Sequence, residues 1–100
     1  MIKIKYKNDE HQFVFQSKGH ANYDEFGKDI ICSAVSSIII GALNAIKDVD
    51  SFEIKILEGE VDIKNKKEIS NHDLIVLETM IVQLYTVEAK SKKYLSIEKE

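Results

Sequence analysis

Between Asp29 and Lys47 the chain carries no charge at all, and Ile30, Ile31, Val35, Ile38, Ile39, Ile40, Ala42, Leu43 and Ile46 fall within it. The stretch is shorter and more interrupted than the roughly 20 apolar residues a membrane span needs. Ile31, Val35, Ile38, Ala42 and Ile46 recur at spacings of three and four, which predicts a helix running to about Asp48. Ile39, Ile40 and Leu43 carry the apolar surface well around the cylinder. Such a helix must be covered on more than one side. In a chain of 100 residues the available covers are its own sheet on one side and a second helix or a second subunit on another.

The flanking segments supply a sheet. Ile2, Ile4 and Tyr6 alternate with Lys3, Lys5 and Lys7, the period-2 pattern of a half-buried strand. After the turn residues Asn8-Asp9-Glu10, Phe13 and Phe15 point one way and Gln12, Val14 and Gln16 the other, so the two strands form a hairpin. Residues 52–58 and 61–64 alternate around Gly59 and predict a second hairpin. Ser70 opens a second helix as N-cap, with Asp73 as an imperfect capping-box partner and Leu74, Leu77, Ile81 and Leu84 on one face. Residues 93–98 read as a short last strand. The order strand, strand, helix, strand, strand, helix, strand predicts an α/β two-layer sandwich, a largely antiparallel five-stranded sheet with two helices on one face.

Length sets one domain over residues 1–100. The formal charge of −3 and the absence of arginine argue against direct nucleic-acid binding, which relies on positive patches and the guanidinium fork. The amino-terminal alternation of apolar and basic residues is not a signal-peptide pattern, so a cytoplasmic location without membrane association is expected. A single cysteine forms no internal disulfide. A zinc site from Cys32, His20 and His72 lacks the close ligand spacing such sites show, and no metal or cofactor is expected. His11 and His72 read as solvent-facing.

That cysteine is where chemistry concentrates. Between the hairpin and the first helix, residues 19–28 lose all periodicity and are bounded by Gly19 and Gly27, which read as the hinges of a mobile loop. Asp29 reads as the N-cap of the helix, which puts Cys32 at N3, where the macrodipole and unpaired N–H groups favour a thiolate and leave donors such as those of Ile31 or Cys32 for an oxyanion. Asp29 also opposes that effect with its own charge. His20, at the strand end, is the cationic partner and proton donor this arrangement requires. Ser36 lies one turn beyond Cys32 and shares its face, in reach of a substrate or the dyad. By residue type alone these positions also have plain structural uses: a small buried hydrophobe, a surface histidine, a cap, and a serine that permits close packing.

The words Gly19-His20-Ala21 and Gly27-Lys28-Asp29-Ile30-Ile31-Cys32-Ser33-Ala34-Val35-Ser36, joined by a short acidic loop, resemble the ribosomal-processing cysteine protease (Prp) family of bacteria. The resemblance implies that His20 and Cys32 form a catalytic dyad flanked by Asp29 and Ser36, and that the protein is a homodimer. It also implies a substrate: a large-subunit ribosomal protein precursor whose N-terminal extension is removed after an aromatic pair. The competing readings are a non-catalytic ribosome-associated binding module with a structural cysteine, and a redox-sensing thiol that does not need His20.

Overall fold

A computed structural model describes residues 1–9, 11–19 and 26–100, the last beginning with backbone alone over 26–29. The elements follow the expected order: β1 (Ile2–Asn8), β2 (Phe13–Lys18), α1 (Phe26–Ala45), β3 (Phe52–Leu57), β4 (Glu60–Asn65), α2 (Asn71–Lys90) and β5 (Leu95–Lys99). A short 3-10 turn, Val49–Ser51, leads into β3.

The strands form one sheet in the order β3-β4-β2-β1-β5. Both hairpins are antiparallel, β4 joins them by pairing antiparallel with β2, and only β5 runs parallel to its neighbour β1. Strand alternation decides the two faces. Ile2, Ile4, Tyr6, Phe13, Phe15, Phe52, Ile63 and Leu95 are buried on one face, while Lys3, Lys5, Lys7, Glu53 and Lys55 point into solvent on the other. Both helices lie on the apolar face. Val35, Ile39, Ala42 and Ile46 of α1 and Leu77, Met80, Ile81 and Leu84 of α2 complete a single core with the inward row of the sheet.

The cover on α1 is therefore its own sheet and α2, and it is incomplete. Ile30 and Ile40 of α1, and Ile75 and Val82 of α2, remain substantially exposed. An open groove of about 500 Å³ runs between the helices on the side away from the sheet, lined by Ser37, Ile38, Gly41, Ala45, Ile75 and Thr79 among others.

Helix α2 is capped as expected, with the Ser70 hydroxyl accepting from the Asp73 N–H. Asp73 itself departs from the expectation. Its side chain is fully buried and does not reach back to the Ser70 N–H; instead it accepts from the backbone N–H of Lys47 at 2.9 Å and of Asp48 at 3.0 Å. These donors follow the last turn of α1, so one carboxylate ties the exit of the first helix to the entry of the second. His72, read as solvent-facing, is indeed exposed but places Nδ1 2.8 Å from Asp73 Oδ1. Burial raises the Asp73 carboxyl pKa; hydrogen bonds from Lys47, His72 and Asp48 outweigh it, and the net direction is below the ordinary carboxylate value.

Candidate active site

Cys32 is a free, half-buried thiol on α1. The helix is already under way at Phe26, so Cys32 is its seventh described residue and Asp29 lies within the first turn. This corrects two expectations: Asp29 is not the N-cap, and Cys32 is not at N3. The physical reason is Gly27. Glycine costs a helix about 1 kcal/mol relative to alanine but keeps its N–H donor, so unlike proline it does not terminate the ladder. The N–H groups of Ile31 and Cys32 then point back into the i−4 ladder and are not free to receive an oxyanion. The macrodipole, which fades within the first turn, also acts on the sulfur less than an N3 position would allow.

His20 lies outside the described residues, as do Tyr23, Asp24 and Glu25. Its neighbour Gly19 is described, and it is tightly held. Gly19 has φ +125°, a conformation that side-chain-bearing residues rarely adopt, and a Cβ built there would meet the Met1 carbonyl oxygen at 2.2 Å. Its N–H donates to the carbonyl of Gly59, in the β3–β4 turn, at 2.9 Å. The N-terminus and the second hairpin thus fix the point from which the segment bearing His20 departs. Gly27 falls within α1.

The sheet end and α1 enclose a cavity of about 250 Å³ that brings these parts together. Cys32 and Ser36, one turn apart, line it from the helix, and Ser17 and Gly19 line it from β2 and its exit. Val35, Ile39 and Ile40 of α1 and Ile56, Leu57 and Val61 of the second hairpin give it apolar walls. Ile40, Ile56 and Leu57 are each more than a third exposed, so the cavity opens along an apolar rim. Glu60 is the one acidic residue among the described lining residues. A hydrogen bond with Asp62, then burial and repulsion by Asp62, raise its carboxyl pKa, while Lys18 at 3.9 Å works in the other direction.

The structure thus gathers Gly19, Cys32 and Ser36, the sequence-derived residues it describes with side-chain or glycine detail, into one cavity. Ser17 and the apolar walls were not singled out from sequence. The signal for Ser17 was present: it continues the inward row of Phe13 and Phe15 and breaks its apolar character. Among the described residues no group of three or more His, Cys, Asp or Glu is placed to hold a metal, and no helix is long and apolar enough to cross a membrane.

A half-buried thiol at the mouth of an apolar cavity, beside the root of a histidine-bearing segment, is the arrangement of a cysteine hydrolase. The family model of the cysteine protease Prp matches residues 1–96 of the chain. The chain belongs to this family. It is 29% identical over 102 residues to the ribosomal processing cysteine protease Prp of Bacillus subtilis (strain 168), covering 94% of this chain and 91% of that protein. The Prp of Staphylococcus aureus (strain Mu50 / ATCC 700699) is 32% identical over 74 residues, 70% of each chain. The fold agrees along the whole length: the crystal structure of the essential ribosomal processing protease Prp from S. aureus with a covalently linked product peptide superposes with a TM-score of 0.84 at 27% identity, covering 100% of both chains. SMU.848 from Streptococcus mutans shares the fold at a TM-score of 0.75 and 19% identity, covering 99% of this chain and 93% of that one. By family, then, the protein is a cysteine protease.

Proposed function

We propose that residues 1–100 form one cysteine-protease domain that removes the N-terminal extension of a large-subunit ribosomal protein precursor, with Cys32 as nucleophile and His20 as its proton-transfer partner. The observation that carries the reading is the placement of Cys32 and Ser36 with the Gly19 strand exit around one apolar cavity, in a chain of the Prp family. The S. aureus relatives solved with a substrate peptide and with a covalently linked product peptide support a peptide ligand.

The thiolate of Cys32, paired with the imidazolium of His20, attacks the scissile carbonyl carbon and pushes its electron pair onto oxygen. The tetrahedral intermediate collapses as His20 gives its proton to the departing amine, leaving the extension as a thioester on Cys32 and His20 neutral. A water molecule then loses its proton to His20 and attacks the thioester. The sulfur leaves as thiolate and the cycle closes. Since Cys32 sits beyond the first turn of α1, the charge of His20 carries more of the thiolate stabilisation than the helix does. Asp29 and Ser36 support the pair from the same helix, and the segment between Gly19 and Gly27 orders over a bound aromatic side chain, so that His20 comes into line when substrate is present.

The protein acts in the cytoplasm as a homodimer and makes no direct contact with nucleic acid or membrane. The exposed groove between α1 and α2, with Ile38, Ile75 and the small residues Gly41 and Ala45, supports an interface on the helical side, away from the Cys32 cavity.

Incubating the protein with an N-terminally extended large-subunit protein and reading the product masses tests the reading. A single cut at the end of the extension is expected, slowed about 100-fold or more by His20→Ala. Cleavage at the wild-type rate by the folded His20→Ala variant would refute the dyad. An intact precursor after prolonged incubation with wild-type protein would refute the protease assignment in favour of a binding module.

A further inference from the structure

Ser17 is the one polar side chain in the inward row of β2, only 7% exposed, and set in register between Ile4 of β1 and Val61 of β4. Its hydroxyl makes no hydrogen bond to any described residue. Yet no fully enclosed side-chain nitrogen or oxygen among the described residues lacks a partner. The hydroxyl therefore keeps one opening, and the cavity it lines beside Cys32 is that opening. A polar group held nine-tenths out of water, with apolar walls around it and no protein partner, is completed by whatever enters the cavity.

We propose, on the reading that Cys32 is the protease nucleophile, that Ser17 makes this cavity select tyrosine as the substrate residue whose carbonyl Cys32 attacks. The cavity of about 250 Å³ is the size of one large side chain, and Val35, Ile39, Ile56 and Val61 favour an apolar body. Phenylalanine or leucine satisfies those walls but leaves the Ser17 hydroxyl without a partner and strips its last access to water. Charged side chains bring an unpaired charge against apolar walls. Tyrosine alone among the large residues combines an aromatic body with a hydroxyl that can both donate to and accept from a serine. Selection of this kind is one-sided, because a site holding a buried polar group rejects the analogue that cannot meet it more strongly than an apolar pocket rejects an added hydroxyl.

The test compares two extension peptides identical except for tyrosine or phenylalanine immediately before the scissile bond, each cleaved by wild-type protein, Ser17→Ala and Ser17→Val. Wild-type kcat/KM is expected to favour the tyrosine peptide by about tenfold, the worth of one neutral hydrogen bond against an orphaned hydroxyl. In Ser17→Ala and Ser17→Val the tyrosine preference should fall to about unity, with thermal melting confirming that each variant is folded. Equal rates for the two peptides with wild-type protein, or a preference that survives both substitutions, would overturn the selection while leaving the protease assignment standing. If wild-type protein cleaves neither peptide nor the extended precursor, the protease assignment falls and this inference falls with it.

Discussion

Two corners of the molecule place a polar group among apolar neighbours and handle it in opposite ways. At the entry to α2, the buried Asp73 has its carboxylate filled from three sides by Lys47, Asp48 and His72. At the mouth beside α1, Cys32 and Ser17 face a cavity with no protein partner among the described residues, and the surrounding Ile40, Ile56 and Leu57 stay exposed. The first corner uses its polarity to join two helices. The second leaves its polarity unused until a peptide arrives, and a chain of this size can keep such an opening only because the rest of the core is closed.

Breaking the closed corner should cost stability and spare chemistry. Asp73→Ala leaves two backbone donors without their acceptor and is expected to destabilise the fold by about 3 kcal/mol, read from urea unfolding. Asp73→Asn keeps one accepting oxygen and should cost about 1 kcal/mol. Destabilisation within error for both variants would show that the link between the helices is not a stabilising one.

The same carboxylate gives a pH signature. Its folded pKa is depressed, so its contribution is fully present above the unfolded carboxylate value near 4 and is lost as pH falls through the lower folded value. Melting temperatures of wild type and Asp73→Asn, measured downward from pH 6, should therefore run parallel at first and converge below about pH 4. A constant gap down to pH 2 would place the stabilisation elsewhere.

The local parts of this contrast were legible in the sequence, and the long-range parts were not. Alternation at Ile2-Lys3-Ile4-Lys5-Tyr6 and the three-and-four spacing in both helices assign strand, helix and inward face, since each depends only on which residues must leave water. Sheet order is different: nothing local in residues 60–65 says that β4 pairs with β2, or in residues 95–99 that β5 lies parallel to β1. Asp73 was misread for the same reason. An acidic residue three positions after an N-cap serine has the same sequence appearance whether it reaches back to the cap or, as here, reaches the backbone of residues 47 and 48. The start of α1 was placed late because Gly27 and Asp29 are both common at helix ends, and only the continued ladder shows that the helix passes through them. In the site, Cys32 and Ser36 were legible from their spacing. Ser17 was available from parity, but its significance depends on a cavity assembled from β2, α1 and the second hairpin.

The open corner is tested most directly through its sulfur. Cleavage of the extended ribosomal precursor should be measured for wild type and Cys32→Ala at equal concentration, with circular dichroism confirming equal folding. A loss of about 1,000-fold or more in Cys32→Ala, with the fold intact, is the expected result. A folded Cys32→Ala protein that still cuts the precursor within tenfold of the wild-type rate would contradict the account.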